Sequence, residues 1–156
     1  VTDLPALAER IHGMLVRADI GFTLSDDGLE FFVPLRDGTA AVIVRPDTFN
    51  DEPLVFLHSP ILQGVAFAEA GARALAAVNL RNCRLVFGRL CYYEVEGVIA
   101  LEYAILARHL QMEEFVRVVQ ILAAYADTLD DDLRHELGIG ARARDVWGST
   151  GDAPAA

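Results

Sequence analysis

Arg84-Leu85-Val86-Phe87-Gly88-Arg89-Leu90-Cys91-Tyr92-Tyr93-Glu94, then Val95-Glu96-Gly97, then Val98-Ile99-Ala100-Leu101-Glu102-Tyr103-Ala104-Ile105-Leu106, is the stretch whose reading decides the fold. Two runs rich in β-branched and aromatic residues flank a short segment ending in Gly, which predicts a β-hairpin. Strand side chains alternate with period two. The return strand therefore sets Ile99, Leu101, Tyr103 and Ile105 on one face and Val98, Ala100, Glu102 and Ala104 on the other. The outgoing run divides likewise, with Leu85, Phe87, Cys91 and Tyr93 against Val86, Leu90 and Tyr92. A hairpin apolar on both faces is ordinarily covered on both. One cover is expected from a helix of this chain. For the other, more of the same chain and a second polypeptide both remain open. Glu102 is the only carboxylate on its face, and pairing to Arg84 or Arg89 is expected ahead of a raised-pKa acid.

Working outward, Leu4, Leu7, Ala8, Ile11, Met14, Leu15 and Ala18 form a helical stripe, with Thr2 or Asp3 as cap and Pro5 in the first turn. Four strands are expected next, over residues 20–24, 29–35, 40–44 and 54–58. Turns are expected at Ser25-Asp26-Asp27-Gly28 and Arg36-Asp37-Gly38, a polar loop at 46–53, and a stop at Ser59-Pro60. A second helix, rich in Ala and Gly, is expected over 65–80. After the hairpin, residues 112–129 give the strongest helical pattern. Asp130-Asp131-Asp132 is read as a solvated face, and residues 133–137 extend the helix to a stop at Gly138. The expected architecture is α+β, an antiparallel β-sheet flanked by helices in the order α-ββββ-α-ββ-α. Residues 1–140 are expected to form one domain and 141–156 a flexible tail. In that tail, Trp147 is expected to dock on the body.

The totals narrow the function. At 156 residues the chain is long enough for a self-sufficient core. It is 53% hydrophobic with a mean hydropathy of +0.31, high enough to suggest apolar surface shared with a partner. A net charge of −10 argues against nucleic acid, since phosphates would be repelled. No apolar run reaches the roughly 18 residues of a membrane span, and the opening lacks signal-peptide character. The expected location is cytoplasmic, with Cys83 and Cys91 as reduced thiols. The two are expected at the start and middle of one strand, roughly 26 Å apart at ~3.3 Å per residue and too far to bridge.

Chemical motifs are absent: no P-loop, no dinucleotide fingerprint and no nucleophile elbow. His12, His58, His109 and His135 share no metal-ligand spacing; His109 with Glu113 reads as a pair at a helix start. No metal, no cofactor and no catalytic residue are expected.

The segment Ala76-Ala77-Val78-Asn79-Leu80, the strand Arg84-Leu85-Val86-Phe87-Gly88-Arg89, the strand Leu101-Glu102-Tyr103-Ala104-Ile105-Leu106 and the helix from Met112 together resemble the YbjN family. That family is similar in fold to type III secretion chaperones of the Tir-chaperone, CesT-like kind. The resemblance covers about residues 4–137 and implies a homodimer. It also implies a non-enzymatic module that holds an extended segment of a partner protein on exposed apolar sheet surface. Phe32, Val55 and Leu57 are the expected partner-binding residues, on the face opposite Phe31 and Phe56. Gly71, Ala74, Val86, Leu90, Ala100 and Ala104 are the expected dimer contact. The alternative is a small-molecule sensor or cryptic enzyme with a pocket around Glu102, Tyr92 and Tyr103.

Overall fold

A computed structural model describes residues 3–34 and 41–138 and the backbone of 141–142. The turn at Arg36-Asp37-Gly38, the Leu35 position and residues 143–156 of the tail, with Trp147, lie outside the described residues.

Helix α1 (Leu4–Arg17) starts where the expected cap sits: the Asp3 carboxylate accepts from the Ala6 N–H at 3.0 Å. Strands β1 (Thr23–Leu24), β2 (Phe31–Pro34), β3 (Ala41–Phe49) and β4 (Glu52–Gln63) follow. Helix α2 (Phe67–Asn82) leads to the hairpin of β5 (Arg89–Tyr93) and β6 (Val98–Leu106). After a 3-10 turn, α3 (Met112–Leu137) ends at Gly138, whose φ of 66° closes the helix through its N–H to the Arg134 carbonyl. A two-residue strand β7 (Ala141–Arg142) pairs with β4. The sheet runs β1-β2-β3-β4-β6-β5 with antiparallel neighbours, so the α+β order expected from the sequence is the order observed.

The hairpin faces fall as the alternation requires. Ile99, Leu101 and Ile105 point into the core, joined by Leu90 across from Leu101 and Tyr92 across from Ile99. Helices α1 and α3 cover that face. Ile11, Leu15, Phe115, Val119 and Leu122 form one core with Phe31, Val44, Val55, Leu57 and Leu101. Each such side chain, fully removed from water, contributes roughly 1.5–3 kcal/mol.

Several local expectations are corrected. Residues 46–53 are strand and tight turn, not loop. Asn50 and Asp51 both take positive φ (49° and 64°), the backbone of a two-residue hairpin turn, and their short polar side chains tolerate it. Ser59-Pro60 does not stop β4; the strand passes Pro60 at a bulge, where the register with β6 shifts. The outgoing hairpin strand begins at Arg89 rather than Arg84. Val86 and Phe87 therefore belong to a loop, and Cys83 follows the end of α2 instead of sharing a strand with Cys91. Finally, Asp130 is buried, while Asp131 and Asp132 are exposed as expected. Helix α3 runs unbroken through all three.

Candidate functional site

Among the described residues, no helix covers the centre of the second face of the sheet. Register places Phe32, Ile43, His58, Glu102 and Arg89 in one row across β2-β3-β4-β6-β5. Arg45, Phe56 and Ala104 form the next row, and Val98 lies across from Tyr93. Burial along β3 and β4 alternates accordingly: Val42, Val44, Val55 and Leu57 are buried, whereas Ile43, Phe56 and His58 are half-buried and Arg45 is exposed.

Glu102 organises this face. It is 2% exposed. One carboxylate oxygen accepts from Arg89 Nε and Nη2 (3.1 and 3.0 Å) and from the Cys91 thiol (3.1 Å). The other accepts from the Tyr93 hydroxyl and lies 3.7 Å from His58 Nδ1. Pairing to Arg89 is one of the two arrangements expected from the sequence, and the strand register brings it about. Burial alone would raise the Glu102 pKa, but contacts from His58, Cys91 and Arg89 outweigh it and hold the carboxyl below its ordinary value. Burial, and then the hydrogen bond into the Glu102 carboxylate, push the Cys91 thiol up to about 11. Cys91 is thus a hydrogen-bond donor here and a poor nucleophile.

Beside this cluster the face carries a row of rings. Arg45 lies 5.2 Å above the Phe56 centroid, Phe56 stacks on His58 at 6.2 Å, and His58 meets Tyr93 edge-on at 6.0 Å. With Glu30, Ile43, Glu96 and Val98 they line an open cleft of about 360 Å³. Its floor is apolar and its rim charged, the make-up of a recognition surface rather than of a closed reaction chamber.

The sheet edges differ. At β5, Asn82 closes the outer edge: Leu90 N–H donates to its Oδ1 at 2.7 Å and its Nδ2 donates to the Leu90 carbonyl at 2.9 Å. Strand β6 continues past the last residue paired with β5, so among the described residues 103–106 have a strand partner, β4, on one side only.

Of the residues expected to bind a partner, Phe32 lies half-buried on this open face. Val55 and Leu57 do not: both are 0% exposed, under the helices, and this corrects the expectation that they are exposed. Phe56 takes the face that had been assigned to them. Gly71, Ala74, Leu90 and Ala100, expected at a dimer contact, are buried within this chain, whereas Val86 and Ala104 are exposed. Gly71 is covered by the Phe67 ring, which a Cβ there would strike at 2.3 Å. Tyr92 and Tyr103 project to the core face, away from Glu102, so the three do not converge into the expected pocket. Tyr92 donates to the Val65 carbonyl at 2.7 Å, and Tyr103 stacks on Phe87. The sequence reading missed Ile43, Arg45, His58 and Tyr93. The signal that finds them is the polar residue in each strand, because Arg45, His58 and Glu102 all fall on one face. No group of three or more His, Cys, Asp or Glu side chains that could hold a metal ion occurs among the described residues, and no described helix is long and apolar enough to cross a membrane.

A family model described as a type III secretion (YopN, CesT) and YbjN peptide-binding chaperone matches residues 6–145. No curated protein matches the chain by sequence. Three solved structures share the fold. The HopA1–SchA chaperone–effector complex contains a chain 13% identical at a TM-score of 0.60, covering 84% of this chain and 99% of that one. The ExsC–ExsE complex contains one 17% identical at 0.59, covering 84% and 96%. YbjN from E. coli is 12% identical at 0.56, covering 86% and 95%.

Proposed function

This chain belongs to the TY-Chap1 family of peptide-binding chaperones, and on that premise we propose that its open sheet face holds an extended segment of a partner protein. The observation that carries the reading is the unequal cover of the two faces. One is covered by α1 and α3; the other leaves Ile43, Phe56, Tyr93 and Val98 half-buried around a cleft, with Phe32 half-buried across from Ile43. Half-buried rings gain the rest of their apolar burial only when something lies on them. An extended segment fits because alternate side chains can enter the cleft while its main chain pairs along residues 103–106 of β6.

The binding is non-enzymatic in this reading. Glu102, the one buried carboxylate on the face, has its oxygens occupied by Arg89, Cys91 and Tyr93. With no converging Tyr92 and Tyr103, nothing favours the sensor or enzyme alternative. The protein acts in the cytoplasm as a homodimer, and the dimer contact moves outward from the residues first expected. The outer side of α2 is exposed and apolar at Ala68, Ala72, Leu75, Ala76 and Leu80, and the loop residue Val86 is also exposed.

The test is selection of a displayed random-peptide library on the intact protein, repeated on Phe56→Asp. Enriched peptides should bind wild type and lose about tenfold or more in affinity to the variant, the scale of a binding hot spot. The variant should keep its fold, because Phe56 lies outside the core. Enrichment that survives Phe56→Asp unchanged would place binding elsewhere.

A further inference from the structure

We propose that the cleft on the open face receives an arginine or lysine side chain of the bound segment; this rests on the reading that the face holds such a segment. The lining combines apolar walls, Ile43 and Val98, with the rings of Phe56, His58 and Tyr93 and the carboxylates of Glu30 and Glu96. Long cationic side chains match this combination, because their stems pack on apolar surface while the charged head reaches acceptors and ring faces.

The charge balance selects the sign. Among the described residues, Arg45 is the one arginine or lysine in the lining, and it stands between Glu30 at 3.6 Å and Asp47 at 3.4 Å. Arg89, on the same face, is already paired with Glu102. Glu96 is exposed and takes part in no ion pair among the described residues. An acidic segment would meet Glu30, Asp47 and Glu96 on a chain of net charge −10. A purely apolar side chain would desolvate Glu96 without pairing it. The surface already accepts the proposed chemistry once, in the Arg45 guanidinium over Phe56.

The experiment is a positional-scanning array of nine-residue peptides, each position fixed in turn to every amino acid. It is probed with intact wild type and with the double variant Glu30→Gln/Glu96→Gln. Both changes are at the rim, and equal melting temperatures would show that the fold is kept. At one position, flanked by apolar preferences, Arg and Lys should be enriched about fivefold over Leu and Gln, the scale of a partly exposed charge pair. That enrichment should shrink with added salt and vanish in the double variant, while the flanking apolar preferences persist. Apolar preferences with no basic position, or a basic preference that survives the double variant, would overturn this inference and leave the segment-binding reading standing. Absence of binding at every position would overturn both.

Discussion

Phe56 and Leu57 are neighbours in the chain and opposites in the molecule. Leu57 is 0% exposed beneath α1 and α3, while Phe56 is half-buried on the open side, stacked on His58 with Arg45 above it. Val44 and Arg45 divide in the same way, and Leu101 and Glu102 also lie on opposite faces, although Glu102 is itself buried. A period-two backbone has made one face a packed interior and the other a mixed surface of rings, charges and one buried carboxylate. The difference teaches that apolar content alone does not mark a binding face. On the open face, where binding is proposed, polar residues are interleaved with the rings: Arg45, His58 and Glu102 lie among Ile43, Phe56 and Tyr93.

That contrast can be broken most severely at the core. Leu57→Ala leaves a cavity among fully buried neighbours and should cost about 2–5 kcal/mol in chemical denaturation. A loss near zero would mean that Leu57 is not where the structure puts it. Glu102 comes next. Glu102→Gln keeps the shape but removes the charge that Arg89, Tyr93 and Cys91 donate to, at a cost of about 2 kcal/mol near neutral pH. The folded Glu102 carboxyl sits below its ordinary value. Its stabilisation is therefore full above about pH 4.3 and is lost as pH falls from there through the lower folded value. Wild type and variant stabilities should converge on acidification. Parallel curves would show that Glu102 is not held as an ion.

Phe56→Ala sharpens the contrast from the open side. It should cost only about 1 kcal/mol in stability, because the ring is half-solvated already, yet weaken segment binding about tenfold. A large stability loss with unchanged binding would exchange the roles of the two faces. The smallest perturbation is thiol labelling near pH 8. Cys83 is exposed and should react first. Cys91, half-buried and with its pKa pushed up to about 11, should lag well behind. Equal rates would mean that the Glu102 cluster opens readily.

Much of this architecture can be read from residue patterns. The hairpin faces follow from Ile99, Leu101 and Ile105 alternating with Ala100, Glu102 and Ala104, and the pairing of Glu102 to an arginine follows from its isolation on that face. The faces of β4 were misjudged because Leu54, Val55, Phe56 and Leu57 are all apolar, so either alternation buries a plausible set. His58 breaks the tie: it shares a face with Phe56, and a half-exposed histidine beside a carboxylate belongs on the open side. The strand through residues 46–53 was hidden by Pro46, Pro53 and the acidic cluster. Pro46 sits at a register position across from Val55, and Asn50-Asp51 supply the positive φ angles that a glycine would normally signal. Burial of Gly71, Ala74 and Ala100 inside one chain was not legible either, because small residues suit close packing equally well within a protomer and between two.

The most direct test is a methyl NMR titration of the intact protein with a peptide selected for binding. Ile43 and Val98 should shift with peptide concentration, while Val55 and Leu57, on the opposite face of the sheet, hold still. Shifts centred on Val55 and Leu57, with Ile43 and Val98 unmoved, would contradict the assignment of the open face as the place where another polypeptide is held.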